Sequence, residues 1–232
     1  MGRIMQKRLV RKLDLEILLS KIPQHPSPKA ILEQYTIPAD VAATMLYIAA
    51  YTHGDIVGKT VLDMGCGTGR LALGAAFLGA KHVVGVDIDK EAVKSAFESS
   101  VKLNLKRKAQ WVAADINVIR GKFDTVLQNP PFGVQKRKAD RKFLEKALER
   151  GKKVYSLHKS PHKNRTLLKQ VKSSAHGFIV TSPSSFIREF IKNKGGRIEA
   201  TYTMVMTIPH MFPFHTRRHY SFLVDLYVIG GC

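Results

Sequence analysis

The sequence predicts a mixed α/β fold: a largely parallel sheet flanked by helices, an antiparallel last strand and a helical extension at the N-terminus. Three observations predict it. Between residues 60 and 157, short β-rich runs alternate with helical patterns, the signature of βαβ units. The last two β-rich runs, 200–208 and 220–229, are separated only by a loop, which demands antiparallel pairing. The chain has 232 residues at 44% hydrophobic content, enough for one cored domain with small appendages and incompatible with global disorder.

Met5 to Ile22 reads as a basic helix whose Leu9, Leu13, Ile17 and Leu18 share a face. Pro23, Pro26 and Pro28 end it and stiffen the linker. A second helix runs from Pro38, suited to a first turn, to Tyr51, with Val41, Met45, Leu46 and Ile48 as its apolar positions. Strands follow at 60–64, 82–87, 109–113, 123–127 and 153–157, and helices at 71–78 (closed by Gly79), 89–103 (capped by Asp89) and 141–150. Another helix starts near Ser184. Residues 1–37 thus read as a helical extension and linker, and 38–232 as the main domain, with a basic insertion at about 160–182.

The charge is lopsided: 38 Lys and Arg against 18 Asp and Glu, a net +20. Fourteen of those cations, with only three acids, fall between Gln135 and Lys172, which points to a polyanion such as nucleic acid. Lys136, Arg137 and Lys138, then His158 and Lys159 at a strand end, then Arg217 and Arg218 between the last strands, are the candidate phosphate contacts. No apolar run approaches the ~18 residues of a membrane span, and no apolar signal core follows the basic start. Cys66 and Cys232 are too few for a disulfide scaffold or a cysteine-built zinc site, so a reducing, cytoplasmic setting is expected. His158 and His162 are four apart, but Pro161 keeps them off one helix face, and no metal is expected.

Two motifs carry chemistry. The first is Asp63-Met64-Gly65-Cys66-Gly67-Thr68-Gly69, between a strand and a helix. Its glycines permit tight turning and close ligand approach at the carboxyl edge of a parallel sheet, where such folds bind nucleotides. Asp63 would repel a pyrophosphate, and Arg70 replaces a helix-facing glycine, so NAD is disfavoured. The acidic strand end suits a cation bearing an amine and a sulfonium: S-adenosylmethionine. Asp87, ending the second strand, can bond ribose hydroxyls, and Asp115, after the third, the adenine amine.

The second motif is Asn129-Pro130-Pro131-Phe132 after the fourth strand. Consecutive prolines stiffen it and hold Asn129 and Pro130 extended. It can aim the Asn129 side-chain oxygen and the Pro130 carbonyl at one point, with the Phe132 ring for stacking. Two acceptors on a conjugated amine favour a pyramidal nitrogen with an available lone pair, so methyl transfer then needs chiefly orientation.

Together the two motifs resemble the adenine-N6 and glutamine-N5 class of S-adenosylmethionine-dependent methyltransferases. Leu32-Glu33-Gln34-Tyr35 before Pro38, Tyr155-Ser156-Leu157-His158-Lys159, and Phe214-His215 before Arg217-Arg218 narrow it. With these the chain resembles an archaeal-like member of the methyltransferase-like-five family of rRNA adenine-N6 methyltransferases, over roughly Ile31 to the C-terminus. The resemblance implies a Rossmann-like seven-stranded class I methyltransferase sheet and methylation of an adenosine N6 in small-subunit ribosomal RNA. It places Gln34, Gly65, Thr68, Arg70, Asp87, Asp115 and Ile116 around the cofactor, beside Asp63, Gly67 and Gly69 of the loop, and Asn129, Pro130, Pro131 and Phe132 around the target base. The family's Gln-Tyr-Pro-Thr is here Gln34-Tyr35-Thr36-Ile37-Pro38. A small zinc-binding activator of the Trm-one-twelve kind, on an exposed strand edge, is implied as a partner. Two other activities fit the same residues: a glutamine-N5 protein methyltransferase and a non-catalytic RNA-binding module.

Overall fold

The structure, a computed structural model, describes residues 9–29, 32–133, 139–162, 165–209 and 219–231. Lys136, Arg137, Lys138, Phe214, His215, Arg217 and Arg218, and the part of the first expected helix before Leu9, lie outside the described residues. Helices α1 (Lys12–Ser20) and α2 (Ala39–Tyr47) come first, α2 running into a π-turn at Ile48–Thr52. Then follow β1 (Thr60–Met64), α3 (Arg70–Leu78), β2 (His82–Asp87), α4 (Lys90–Lys102), β3 (Ala109–Ala113) and a 3₁₀ turn (Ile116–Val118). The chain continues through β4 (Phe123–Gln128), α5 (Ala139–Arg150), β5 (Gly151–Lys159), α6 (Arg165–Ser173), β6 (Phe178–Val180), α7 (Ser185–Asn193), β7 (Arg197–Pro209) and β8 (His219–Gly230).

The eight strands form one sheet in the order β3-β2-β1-β4-β5-β8-β7-β6. Strands β1 to β5 are mutually parallel, while β8 runs antiparallel to both β5 and β7. The Rossmann-like class and the reversed last strand are as the sequence predicts. The count of seven is exceeded by one: β6, from the basic insertion, pairs antiparallel with β7 through Phe178 to Val180. The insertion also forms α6, and Val171 of that helix is buried.

Strand periodicity divides the core. Val61, Val83, Leu127 and Tyr155 pack with α1, α2 and α3 on one face. Leu62, Met64, Val86, Val126 and Val154 pack with α5 and α7 on the other. One expectation is corrected here. Leu9, ahead of α1, and Leu13 and Ile17 on it are exposed and Leu18 packs only partly against the core, whereas Leu15 and Leu19 are fully buried, with Ile22 just beyond. Apolar residues stand at 13, 15, 17, 18 and 19, nearly all round the helix, so periodicity picks no unique face and the neighbouring helices do. The seat is Gly74 of α3, where an added Cβ would lie 2.3 Å from Leu46 and 3.2 Å from Leu19. Leu15, Leu19, Ile22 and Ile37 therefore share one core with α2 and α3, and Arg70 donates to the carbonyls of Ile22 (3.0 Å) and Ile37 (2.6 Å).

β1 and β4 mark the switch point, where the chain crosses to opposite sides of the first strand. Their register sets Asp63 beside Leu127, so the glycine loop and the Asn129 turn leave the sheet side by side at its carboxyl edge.

Candidate active site

Each wall of the site follows from local geometry. Beyond β1, the N–H groups of Gly65 and Cys66 donate to the Val86 carbonyl at 2.8 and 3.0 Å, pinning the loop to β2. Gly65, Gly67 and Gly69 take φ values of 72°, 52° and 88°, in the left-handed region that L side chains avoid. At Gly69 space is also closed: a Cβ would sit 2.6 Å from the Trp111 ring. Asp87 receives the Gly67 N–H (2.8 Å) on one oxygen and the Asp89 N–H (2.9 Å) on the other. Burial raises its pKa, which those two bonds partly offset.

Asp63 shares its strand face with Val61 and so points at α3, whose Ala72 N–H it accepts at 2.8 Å. It is almost fully buried, and burial, partly offset by that bond, pushes its pKa up to about 7. Burial also pushes the Cys66 thiol up, so it is a packed residue and not a nucleophile.

A strap from the N-terminal linker closes the cavity. Lys29 Nζ (2.8 Å) and Gln34 Nε2 (3.0 Å) donate to one oxygen of Asp89, and His25 Nε2 lies 3.5 Å from it. The other Asp89 oxygen caps α4 at the Glu91 N–H. Burial alone would raise the Asp89 pKa, but these donors hold it well below the usual carboxylate range.

The resulting cavity, about 270 Å³, is lined by Gln34, Asp63, Gly65, Gly67, Thr68, Arg70, Asp87, Asp115, Ile116, Asn129 and Pro131. The structure thus brings nearly all the expected cofactor residues together with two of the four turn residues. Gly69 is outside the lining and serves the turn into α3. Arg70 lines the cavity, but its terminal nitrogens are committed to the strap carbonyls; its role is to hold the strap. Glu33, Tyr35, Lys142 and Phe143 also line the cavity and were missed as site residues. The Glu33-Gln34-Tyr35 run could have flagged the first two; nothing in the α5 pattern marks the others.

Buried polar atoms on this wall without a hydrogen-bond partner among the described residues include Asp63 Oδ1, Thr68 Oγ1, Tyr35 Oη and Asn129 Oδ1. Buried polar groups are rarely left so, and a cluster around one cavity indicates a polar ligand. Acids at three strand ends favour one with positive charge. The residues present fit S-adenosylmethionine.

Phe132 stands across the turn. Its ring is 5.3 Å from that of Tyr35 and 5.7 Å from that of Phe222, and it borders a second, larger cavity of about 960 Å³. Lys159 lines that cavity with its ammonium 5.7 Å above the Phe222 ring. His158 lies inward, 5% exposed, with Nε2 bonded to Ser156 Oγ at 2.7 Å. Burial lowers its pKa to about 4, so at neutral pH it brings no charge to a phosphate and instead orders the strand end. The basic run is also divided. Lys146 and Arg150 pair with Glu149, Lys152 with Asp124, and Lys153 with Glu199. Lys152 and Lys153 sit at the far end of β5, roughly 20 Å from Lys159 at strand rise.

A doubly wound sheet with a reversed last strand, acids closing β1 and β2, and a glycine turn between them define a class I methyltransferase. The family model for the methyltransferase small domain matches residues 39–173, and the chain belongs to that family and, within it, to the METTL5 group. It is 39% identical to the rRNA N(6)-adenosine-methyltransferase METTL5 of Danio rerio, covering 91% of this chain and 95% of that protein. It is 36% identical to MJ0284, an uncharacterised protein of Methanocaldococcus jannaschii, over 90% of each. Among solved structures, PH1948 of Pyrococcus horikoshii, described as a candidate RNA methyltransferase, superposes with a TM-score of 0.79 at 36% identity, over 96% of this chain and 98% of that one.

Proposed function

We propose that the chain is an S-adenosylmethionine-dependent methyltransferase acting on the N6 of an adenosine in ribosomal RNA, that of the small subunit. The carrying observation is the buried Asn129 Oδ1, without a hydrogen-bond partner among the described residues, on the wall of an acid-lined cavity. S-adenosylmethionine, when bound, supplies an electrophilic methyl on a sulfonium. Asp63, Asp87 and Asp115 provide the negative wall that holds such a cation, and Thr68 a hydroxyl. Asn129 Oδ1 and the Pro130 carbonyl accept the two N–H groups of the adenine amine, drawing its lone pair out of conjugation. Phe132 stacks on the base, which leaves its helix to enter. No buried base of matched pKa is required, because the extra proton leaves only after the nitrogen has become cationic.

The larger cavity, bordered by Phe132 and Lys159, is the entry side for RNA, and phosphates are gripped by cations at this edge. The edge of β3 supports a small activator: among the described residues β3 pairs only with β2, and Val112 on it and Phe97 and Val101 on α4 are exposed. No helix among the described residues is long and apolar enough to cross a membrane. A cytoplasmic setting is proposed from the paucity of cysteine, two in the chain.

The test incubates the protein with labelled methyl donor, ribosomal RNA and total cell protein. Label in RNA as N6-methyladenosine is expected. Label in protein alone would substitute the glutamine-N5 reading; no label, with cofactor binding intact, would leave an RNA-binding module.

A further inference from the structure

Within Asn129-Pro130-Pro131-Phe132 the two prolines have no N–H, so the Phe132 N–H is the first backbone donor after Asn129 by which the turn can be held. That donor goes to a side chain 99 residues away: Glu33 Oε2 accepts it at 2.7 Å. Glu33 itself takes φ 51°, a left-handed conformation uncommon for a residue with a side chain. Strain of this kind persists where the surroundings enforce it, and here the two residues that follow are fixed. Gln34 is bonded to Asp89 on the cofactor side, and the Tyr35 ring lies against Phe132. Three consecutive strap residues thus join the cofactor wall to the acceptor turn.

We infer that Glu33 is the positioning residue of the acceptor turn. Its carboxylate sets the turn's height over the cavity, so that Asn129 Oδ1 and the Pro130 carbonyl meet one amine nitrogen. The inference rests on the reading of that turn as the adenine site. A misplacement of about 1 Å costs on the order of a hundredfold in rate, so loss of the acceptor should fall on kcat and spare cofactor affinity.

Three variants separate bond from backbone. Glu33→Gln keeps an oxygen that accepts the Phe132 N–H. Glu33→Ala removes it. Glu33→Gly removes it while relieving the positive φ. Expected are a kcat within about threefold of wild type for Gln, and losses of roughly ten- to hundredfold for Ala and Gly, with Kd for S-adenosylmethionine nearly constant and Gly melting no lower than Ala. Hydrogen exchange at the Phe132 amide gives a readout free of activity: protected in wild type and Gln, released in Ala and Gly. Continued protection in Ala, an undiminished kcat in Ala and Gly, or a Gln variant as slow as Ala would each overturn the assignment. If wild type fails to methylate RNA while exchange follows the expected pattern, the positioning role stands and the adenine reading falls.

Discussion

At the scale of single residues, the site separates binding from chemistry. Asn129 lines the cavity as the proposed acceptor contact, and Asp87, the proposed cofactor contact, is fixed by two backbone N–H groups. Asn129→Ala should lower the single-turnover rate by about a hundred- to a thousandfold with cofactor Kd unchanged, since it removes an acceptor aimed at developing charge. Asp87→Ala should weaken cofactor binding and unpin the glycine loop, as calorimetric titration would show. Asp63 adds a pH effect. Its pKa of about 7 means the free protein holds a proton there that a cationic ligand expels. Affinity for S-adenosylmethionine should therefore rise up to about tenfold between pH 6 and 8 and flatten above, with proton release seen by calorimetry in buffers of differing ionisation enthalpy. Because this folded pKa exceeds the ordinary 3.8, Asp63 binds more proton in the native state than in the unfolded one between about pH 4 and 7, so its contribution to stability falls with rising pH across that window, opposite in sign to that of His158. Asp63→Asn should flatten both profiles.

At the scale of elements, α1 and the strap decide whether the cavity exists. Leu15 and Leu19 belong to the same cluster as α2 and α3, and Arg70 ties the strap to the glycine loop. Leu19→Ala should cost about 2–5 kcal/mol in urea unfolding, as a cored leucine does, whereas Leu13→Ala on the exposed face should cost well under 1. A loosely appended α1 would make the two variants alike. The first three strands were legible almost to the residue because short β-rich runs stand between helical patterns there: Thr60–Met64, His82–Asp87 and Ala109–Ala113 match the expected spans. β6 was not legible. Three residues are too few for a periodic signal, and only the β7 partner makes Phe178 to Val180 a strand.

At the scale of the whole molecule, the net +20 supplies affinity, but the fold distributes it. Cations at the far end of β5 are paired with acids, while Lys159 lines the cavity bordered by Phe132, the proposed entry side for RNA. For a single-stranded RNA ligand, Lys159→Gln should reduce the slope of log affinity against log salt by about 0.7, the value of one phosphate contact. Lys152→Gln should leave that slope unchanged, although it breaks the Asp124 pair. Filter binding at four or more salt concentrations would read both; equal slopes for the two variants would deny any concentration of phosphate contacts at this edge.

Local pattern alone settled the α/β class, the parallel character of the first strands and the two motifs, because backbone sterics at Gly65 to Gly69 and the ring constraint of Pro130 and Pro131 act within a few residues. Which face of α1 turns inward, that His158 is neutral and inward-lying, that Arg70 serves the strap, and that Glu33 reaches Phe132 were decided only by packing. Each depends on groups far apart in sequence, and burial, which sets both contact and charge, is a property of the assembled chain and not of any segment read in isolation.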